Sequence, residues 1–169
     1  NIVLILCFNF SYIFYENKYY KIIEITLQTP PSRSHIIGVA MSLDILPLQE
    51  HGALKYLDLA TKSLFPGFDF FTMDGHTDKQ MLPKMQYKGH TLVFMADLLP
   101  SVGHIPLPYV MGYDTRPLLT LQEKQQFLEE AAQNQYVLFL EHDSVNECCT
   151  VKMTEKGVRV DQTFRLDEL

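Results

Sequence analysis

The chain has only three cysteines among 169 residues: Cys7, Cys148 and Cys149. An odd number, with two of them adjacent, cannot make a disulfide framework and points to a reducing, cytoplasmic compartment. A basic cluster is also missing, and the net charge is -6. Neutralising phosphates needs a positive face, so nucleic-acid binding is disfavoured. No internal repeat is visible. The most apolar stretch, roughly Ile2 to Tyr15, falls short of the ~20 residues a membrane span requires. It has neither a positive start nor a clear small-residue cleavage site, so no membrane partner is expected, the alternatives being a signal or anchor and a strand-rich start to the domain. What remains is ordinary for a globular domain with its own core: 47% hydrophobic and 20% charged residues.

The beginning differs from the rest. "NIVLILCFNFSYIFYENKYYKIIEI" is dominated by Asn, Ile, Lys, Tyr and Phe, residues that AT-rich codons supply. The stretch "TPPSRS" then reads as a linker. The chain does not begin with Met, which fits a fragment. The expected division is an atypical segment over 1–36, not native to the domain, and a domain over 37–169.

From about Leu46 the pattern becomes regular. "FPGFDFFTMDG" predicts a Pro-Gly turn and a buried strand. "LPKMQYKGHTLVFMAD" predicts a hairpin turning at Lys88-Gly89. "TLQEKQQFLEEAAQNQ" predicts a helix with Thr120 and Glu123 as a capping box and Leu121, Leu128 and Ala132 on one face. "YVLFLEHD" is a second buried run, and "CTVKMTEKGVRVDQTFRL" a closing hairpin around Lys156-Gly157. The helix serves as the crossover of a parallel connection. The strand ending at Met73, the strand Thr91–Met95 and the strand Tyr136–Leu140 then point the same way.

Just past those three ends stand His76, Asp97 and His142. Two imidazoles and a carboxylate on one sheet edge are a divalent-metal donor set, and strand ends hold ligands rigidly. Taken singly, each has an ordinary alternative. His76 can be a turn residue, Asp97 a strand terminator and His142 part of a solvated acidic corner.

In order, "DGHTDKQM", "TLVFMADLLP" and "YVLFLEHD" resemble the last three metal motifs of the metallo-β-lactamase superfamily. The resemblance covers roughly Leu46 to Leu169 and looks like the C-terminal half of a hydrolase of the kind that includes lactonases and related bacterial enzymes. It implies an α+β fold, part of an αββα sandwich with a two-zinc site at the sheet edge. By resemblance His76 binds one metal, Asp97 bridges both and acts in catalysis, and His142 binds the second. The implied chemistry is attack of a metal-activated hydroxide on a small-molecule lactone, ester or related centre.

Two departures limit that implication. The motif His-x-His-x-Asp-His, which supplies most remaining ligands, is absent, and His35 and His51 stand alone. Asp78-Lys79 replaces the Pro-Gly that many members place after Gly-His-Thr. One zinc or none is therefore expected, with no two-metal turnover. A truncated or frame-disrupted coding region would explain the odd beginning. The alternative is a non-catalytic remnant or interaction module, self-associating through an exposed sheet.

The stretch "LLPSVGHIPLPYVMGYDTRP" carries His104, Tyr109, Tyr113, Asp114 and Arg116 among four prolines. A stiff loop that starts at Asp97 is suited to line a pocket, with His104, Tyr109 and Tyr113 as substrate-contact candidates. A packed surface loop is the alternative. His90, beside a hairpin turn, reads as solvated. Cys148 and Cys149 diverge on an extended backbone, so joint chelation is disfavoured and a buried small-hydrophobe role is expected. No base is paired with either, which disfavours a nucleophile.

Overall fold

The structure, a computed structural model, describes residues 12–15, 18–21 and 63–169. The chain divides into two compact units, Asn1–Ala60 and Thr61–Leu169. In the first unit, β1 (Tyr12–Tyr15) pairs antiparallel with β2 (Lys18–Lys21). The linker, the expected boundary near residue 36, His35 and His51 lie outside the described residues.

The second unit holds a seven-stranded sheet whose strands follow chain order: β3 (Ser63–Phe65), β4 (Phe68–Met73), β5 (Gln80–Tyr87), β6 (His90–Phe94), β7 (Val137–Phe139), β8 (Cys148–Thr154) and β9 (Gly157–Phe164). Local chemistry explains the turns. Gly67 takes φ 82° after Pro66, the geometry of a type II turn. Lys88 and Gly89 both have positive φ, 49° and 84°, as a two-residue hairpin between right-twisted strands requires. In the last hairpin Gly157 already pairs with Thr154, so the turn is Glu155-Lys156, one residue earlier than expected.

Among the described strands only β6 and β7 pair in parallel, with Leu92 opposite Val137 and Phe94 opposite Phe139. Parallel neighbours need a crossover, and α1 (Pro117–Asn134) supplies it. The helix starts earlier than the capping-box reading. Pro117 holds the first helical position, where its fixed φ suits the helix and its missing N–H is no loss, and Arg116 is the N-cap. Thr120 and Glu123 therefore lie inside α1 and cannot cap it. Its buried stripe also differs from the expected one: Thr120, Lys124, Phe127, Leu128 and Ala131 are buried. Leu121 and Ala132 are only half-buried. A lysine in that stripe hid the periodicity.

That stripe meets one sheet face in a core containing Met73, Leu82, Val93, Met95, Leu138, Cys149 and Val151. Phe127 meets Phe71 edge-on, with ring centroids 5.4 Å apart. Burying each large apolar side chain stabilises the fold by roughly 1.5–3 kcal/mol. Leu92 and Phe94, on the other face of β6, are buried as well. Cys148 and Cys149 are fully buried free thiols, and burial pushes both up to about 12. Among the described residues, no helix is long and apolar enough to cross a membrane.

Candidate metal centre

Because β4 and β6 each run antiparallel to β5, and β7 runs parallel to β6, the ends of β4, β6 and β7 share one sheet edge. His76, Asp97 and His142 follow those ends. The structure brings them together in two pairs. His76 Nε2 lies 3.4 Å from Asp97 Oδ2. His142 Nε2 lies 3.1 Å from Asp97 Oδ1. One carboxylate thus offers a different oxygen to each imidazole.

Each ligand is fixed by its own backbone. Asp97 follows Ala96, which takes φ 43° and is fully buried. A left-handed alanine costs about 1–2 kcal/mol, so the surrounding packing must hold the chain in this turn. The His142 amide donates to Pro100 O at 3.1 Å. Beside it, Asp143 accepts the Val102 amide at 3.0 Å and the Val145 and Asn146 amides. Burial raises the Asp143 pKa, but these hydrogen bonds outweigh it and leave the carboxyl below its ordinary value. The loop after Asp97 and the loop bearing His142 are thereby tied to each other.

His76 is held from the segment leading into α1. Its Nδ1 is 2.8 Å from Asp114 Oδ1, and the Asp114 side chain is 1% exposed. This contact sets the rotation of the ring and leaves Nε2 facing Asp97. The Thr115 amide donates to His76 O, and the Arg116 amide donates to Gly75 O. Glu123 accepts the amides of Asp74 and Gly75. A Cβ on Gly75 would lie 2.5 Å from Thr120 N, so only glycine lets this loop meet the helix. Lys79 donates to Asp74 through both its amide and its ammonium. Burial again works upward on Asp74, and the Lys79 contacts outweigh it, with a net lowering.

Each pair is spaced as two ligands of one divalent cation are. Donors each ~2.0–2.1 Å from a tetrahedral zinc lie roughly 3.3 Å apart, close to both pair distances. Among the described residues, no three His, Cys, Asp or Glu side chains form one metal-holding group. The arrangement is two donor pairs that share Asp97.

The loop candidates separate. Tyr113 is 75% exposed and its ring centroid lies 6.2 Å from that of His76. Tyr109 is exposed, and its backbone carbonyl accepts from Lys124. His104 ends a short 3-10 turn and pairs with Ser101 Oγ through Nδ1 at 2.9 Å. Burial, then the Lys124 charge, lower its pKa, while Asp114 opposes them. His90 is exposed at the start of β6. Two residues outside the expected set hold the His76 segment: Asp114 at the ring and Glu123 at the amides of Asp74 and Gly75. In the sequence Asp114 is one polar residue of a loop, and Glu123 fits a helix-cap pattern. Lys124 carries no motif, and its one signal is a charge on the spacing of a buried stripe.

No protein-family model matches the chain, and no curated protein matches it. Solved structures do. AidC, a dizinc quorum-quenching lactonase, matches at 20% identity and TM-score 0.58, over 75% of this chain and 48% of its own. AbOPH, a hydrolase in the beta lactamase superfamily, matches at 19% identity and TM-score 0.62, over 74% of this chain and 44% of its own. A probable metal-dependent hydrolase from Staphylococcus aureus matches at 24% identity and TM-score 0.53, over 63% of this chain and 38% of its own. These matches show the α+β fold and no more. The chain carries part of the metallo-β-lactamase fold. The chain spans less than half the length of each of these three structures.

Proposed function

We propose that this chain carries the strand-end part of a zinc-dependent hydrolase centre acting on a lactone, ester or related small molecule. The observation behind this reading is the division of Asp97 between two imidazoles, Oδ2 to His76 and Oδ1 to His142. That is the disposition a bridging carboxylate needs to offset repulsion between two cations and fix their separation. The fold's likeness to metal-dependent hydrolases supports the same class.

When bound, zinc supplies Lewis acidity toward a carbonyl and lowers the pKa of water. The residues of this chain do the holding. Asp97 presents one oxygen to each half-site. His76 and His142 present Nε2. Asp114 holds the His76 ring at Nδ1. Tyr113, on the exposed rim beside His76, contacts substrate, and Tyr109 and His104 extend that wall. The negative net charge disfavours nucleic acid as a substrate. Buried, unpaired Cys148 and Cys149 suit the cytoplasm.

The described donors give each half-site one imidazole and one carboxylate oxygen, whereas catalytic zinc takes three protein ligands. We therefore propose a centre that is incomplete in this chain, binding at most one zinc weakly and turning over no substrate. Elemental analysis beside a lactone and aryl-ester hydrolysis screen tests this. Joining an N-terminal half with His-x-His-x-Asp-His should bring metal binding and hydrolysis together. Two tightly held metals with metal-dependent turnover in the unaltered chain would overturn the incompleteness. A joined protein that binds zinc without hydrolysing either substrate class would favour the non-catalytic remnant.

A further inference from the structure

We propose that Glu123 is a positioning residue for this centre, setting the place of His76 through the backbone of residues 74 and 75; the inference rests on the metal-centre reading above. Glu123 lies on the second turn of α1 and is half-buried. Because Pro117 opens the helix, Glu123 is too far along it to reach the helix's own first amides. Its two oxygens go elsewhere. The Asp74 amide donates to Oε1 at 2.7 Å and the Gly75 amide to Oε2 at 2.9 Å. A carboxylate accepting two successive amides forms charge-assisted bonds that fix the orientation of both peptides.

The carbonyls of the same two residues are fixed as well. The Arg116 guanidinium donates to Asp74 O at 2.6 Å and the Arg116 amide to Gly75 O at 2.8 Å. Gly75 packs directly on the Thr120 backbone, where a Cβ would meet Thr120 Cα at 2.6 Å. The chain entering His76 is therefore clamped on donors, acceptors and one bare face. Asp114 sets the rotation of the imidazole, and Glu123 sets where the ring begins. Moving the Asp74–Gly75 peptides would move Nε2 away from Asp97 without touching either ligand.

The test uses the full chain and three variants, Glu123→Gln, Glu123→Asp and His76→Ala. Zinc affinity is measured by competition with a chromophoric chelator, well below the unfolding temperature. Amide hydrogen exchange is followed residue by residue. Glu123→Gln keeps the volume but puts an amide NH2 against a backbone N–H. It should weaken zinc binding about 10-fold, the lower range for losing a group that orients a ligand. Exchange should accelerate at Asp74 and Gly75 and stay unchanged in β8 and β9. Glu123→Asp keeps the charge one methylene short and should behave the same way, which guards against a folding artefact of either variant. Zinc affinity unchanged in both variants, while His76→Ala abolishes it, would overturn the role of Glu123 alone. Faster exchange throughout the sheet would also overturn it, since that marks general loss of stability. Zinc binding indifferent to His76→Ala, or undetectable in the parent, would overturn the His76 half of the metal-centre reading and this proposal with it.

Discussion

His76 Nδ1 sits 2.8 Å from Oδ1 of Asp114, a carboxylate 38 positions further along the chain and nearly without solvent contact. The second oxygen, Oδ2, is buried with no hydrogen-bond partner among the described residues. A buried carboxylate with one oxygen idle is costly to keep. Its partner is a ring whose other nitrogen faces Asp97, so Asp114 orients the His76 imidazole toward Asp97.

Asp114→Ala should therefore lower both stability and metal affinity. Removing the carboxylate leaves His76 Nδ1 buried without an acceptor, at about 1–3 kcal/mol. Zinc affinity should fall roughly 10-fold or more as the ring loses its orientation. Urea unfolding and chelator competition measure the two effects. An affinity that holds while stability falls would reduce Asp114 to a packing residue.

Gly75→Ala tests the contact between the His76 loop and α1. The new methyl would meet the Thr120 N and Oγ1 atoms at 2.5 Å and Cα at 2.6 Å. Two of these atoms are backbone inside a helix and cannot step aside. The expected loss is about 1–3 kcal/mol, the range for overpacking a filled site. Thermal unfolding measures it. A variant as stable as the parent would show that the loop and helix can separate.

Much of this site was legible because it depends on local rules. Alternating apolar runs, the Lys88-Gly89 turn and one helix between two buried runs were enough to place β4, β6 and β7 in one direction. His76, Asp97 and His142 then fall at one edge. What stayed hidden depends on distant contacts. Thr120 and Glu123 satisfy a capping-box pattern locally, yet Pro117 starts the helix earlier and Glu123 binds amides 48 and 49 positions upstream. Asp114 has no meaning until the chain folds it onto His76. Lys124 breaks an apolar stripe because three carbonyls await its ammonium, and those lie in an irregular loop that no periodicity describes.

Lys124 should give stability a distinctive pH dependence. It is fully buried, and its ammonium donates to Pro106 O, Leu107 O and Tyr109 O at 2.9, 3.1 and 2.7 Å. Burial lowers its pKa from 10.5 to about 8, with Asp114 pulling the other way. The folded chain thus releases this proton near pH 8, and the unfolded chain holds it until about 10.5. Between those values the unfolded chain binds more protons, so the contribution of Lys124 to stability rises with pH. Cys148 and Cys149, raised from 9.0 to about 12, act in the opposite direction above pH 9. The difference between Lys124→Met and the parent isolates the lysine. Urea unfolding across about pH 7 to 10 should show the parent gaining on the variant as pH rises. Parallel curves would show that Lys124 keeps its proton throughout.

The last prediction concerns how the two half-sites depend on Asp97. In a protein completed with an N-terminal half bearing His-x-His-x-Asp-His, His76→Ala and His142→Ala each remove a ligand from one half-site only. Asp97→Ala removes a ligand from both, because its two oxygens face different imidazoles, at 3.4 and 3.1 Å. Each histidine variant should then lose one metal, with the other retained. Asp97→Ala should lose both or hold them far more weakly, since cation repulsion is no longer offset and coordination falls on each side. Adding either histidine change to Asp97→Ala should do little more, the non-additivity expected of residues acting as one unit. Elemental analysis after dialysis, beside lactone and aryl-ester hydrolysis, reads stoichiometry and turnover on the same samples. If Asp97→Ala kept two metals, or if either histidine variant lost both, the shared carboxylate could not be the bridge between them.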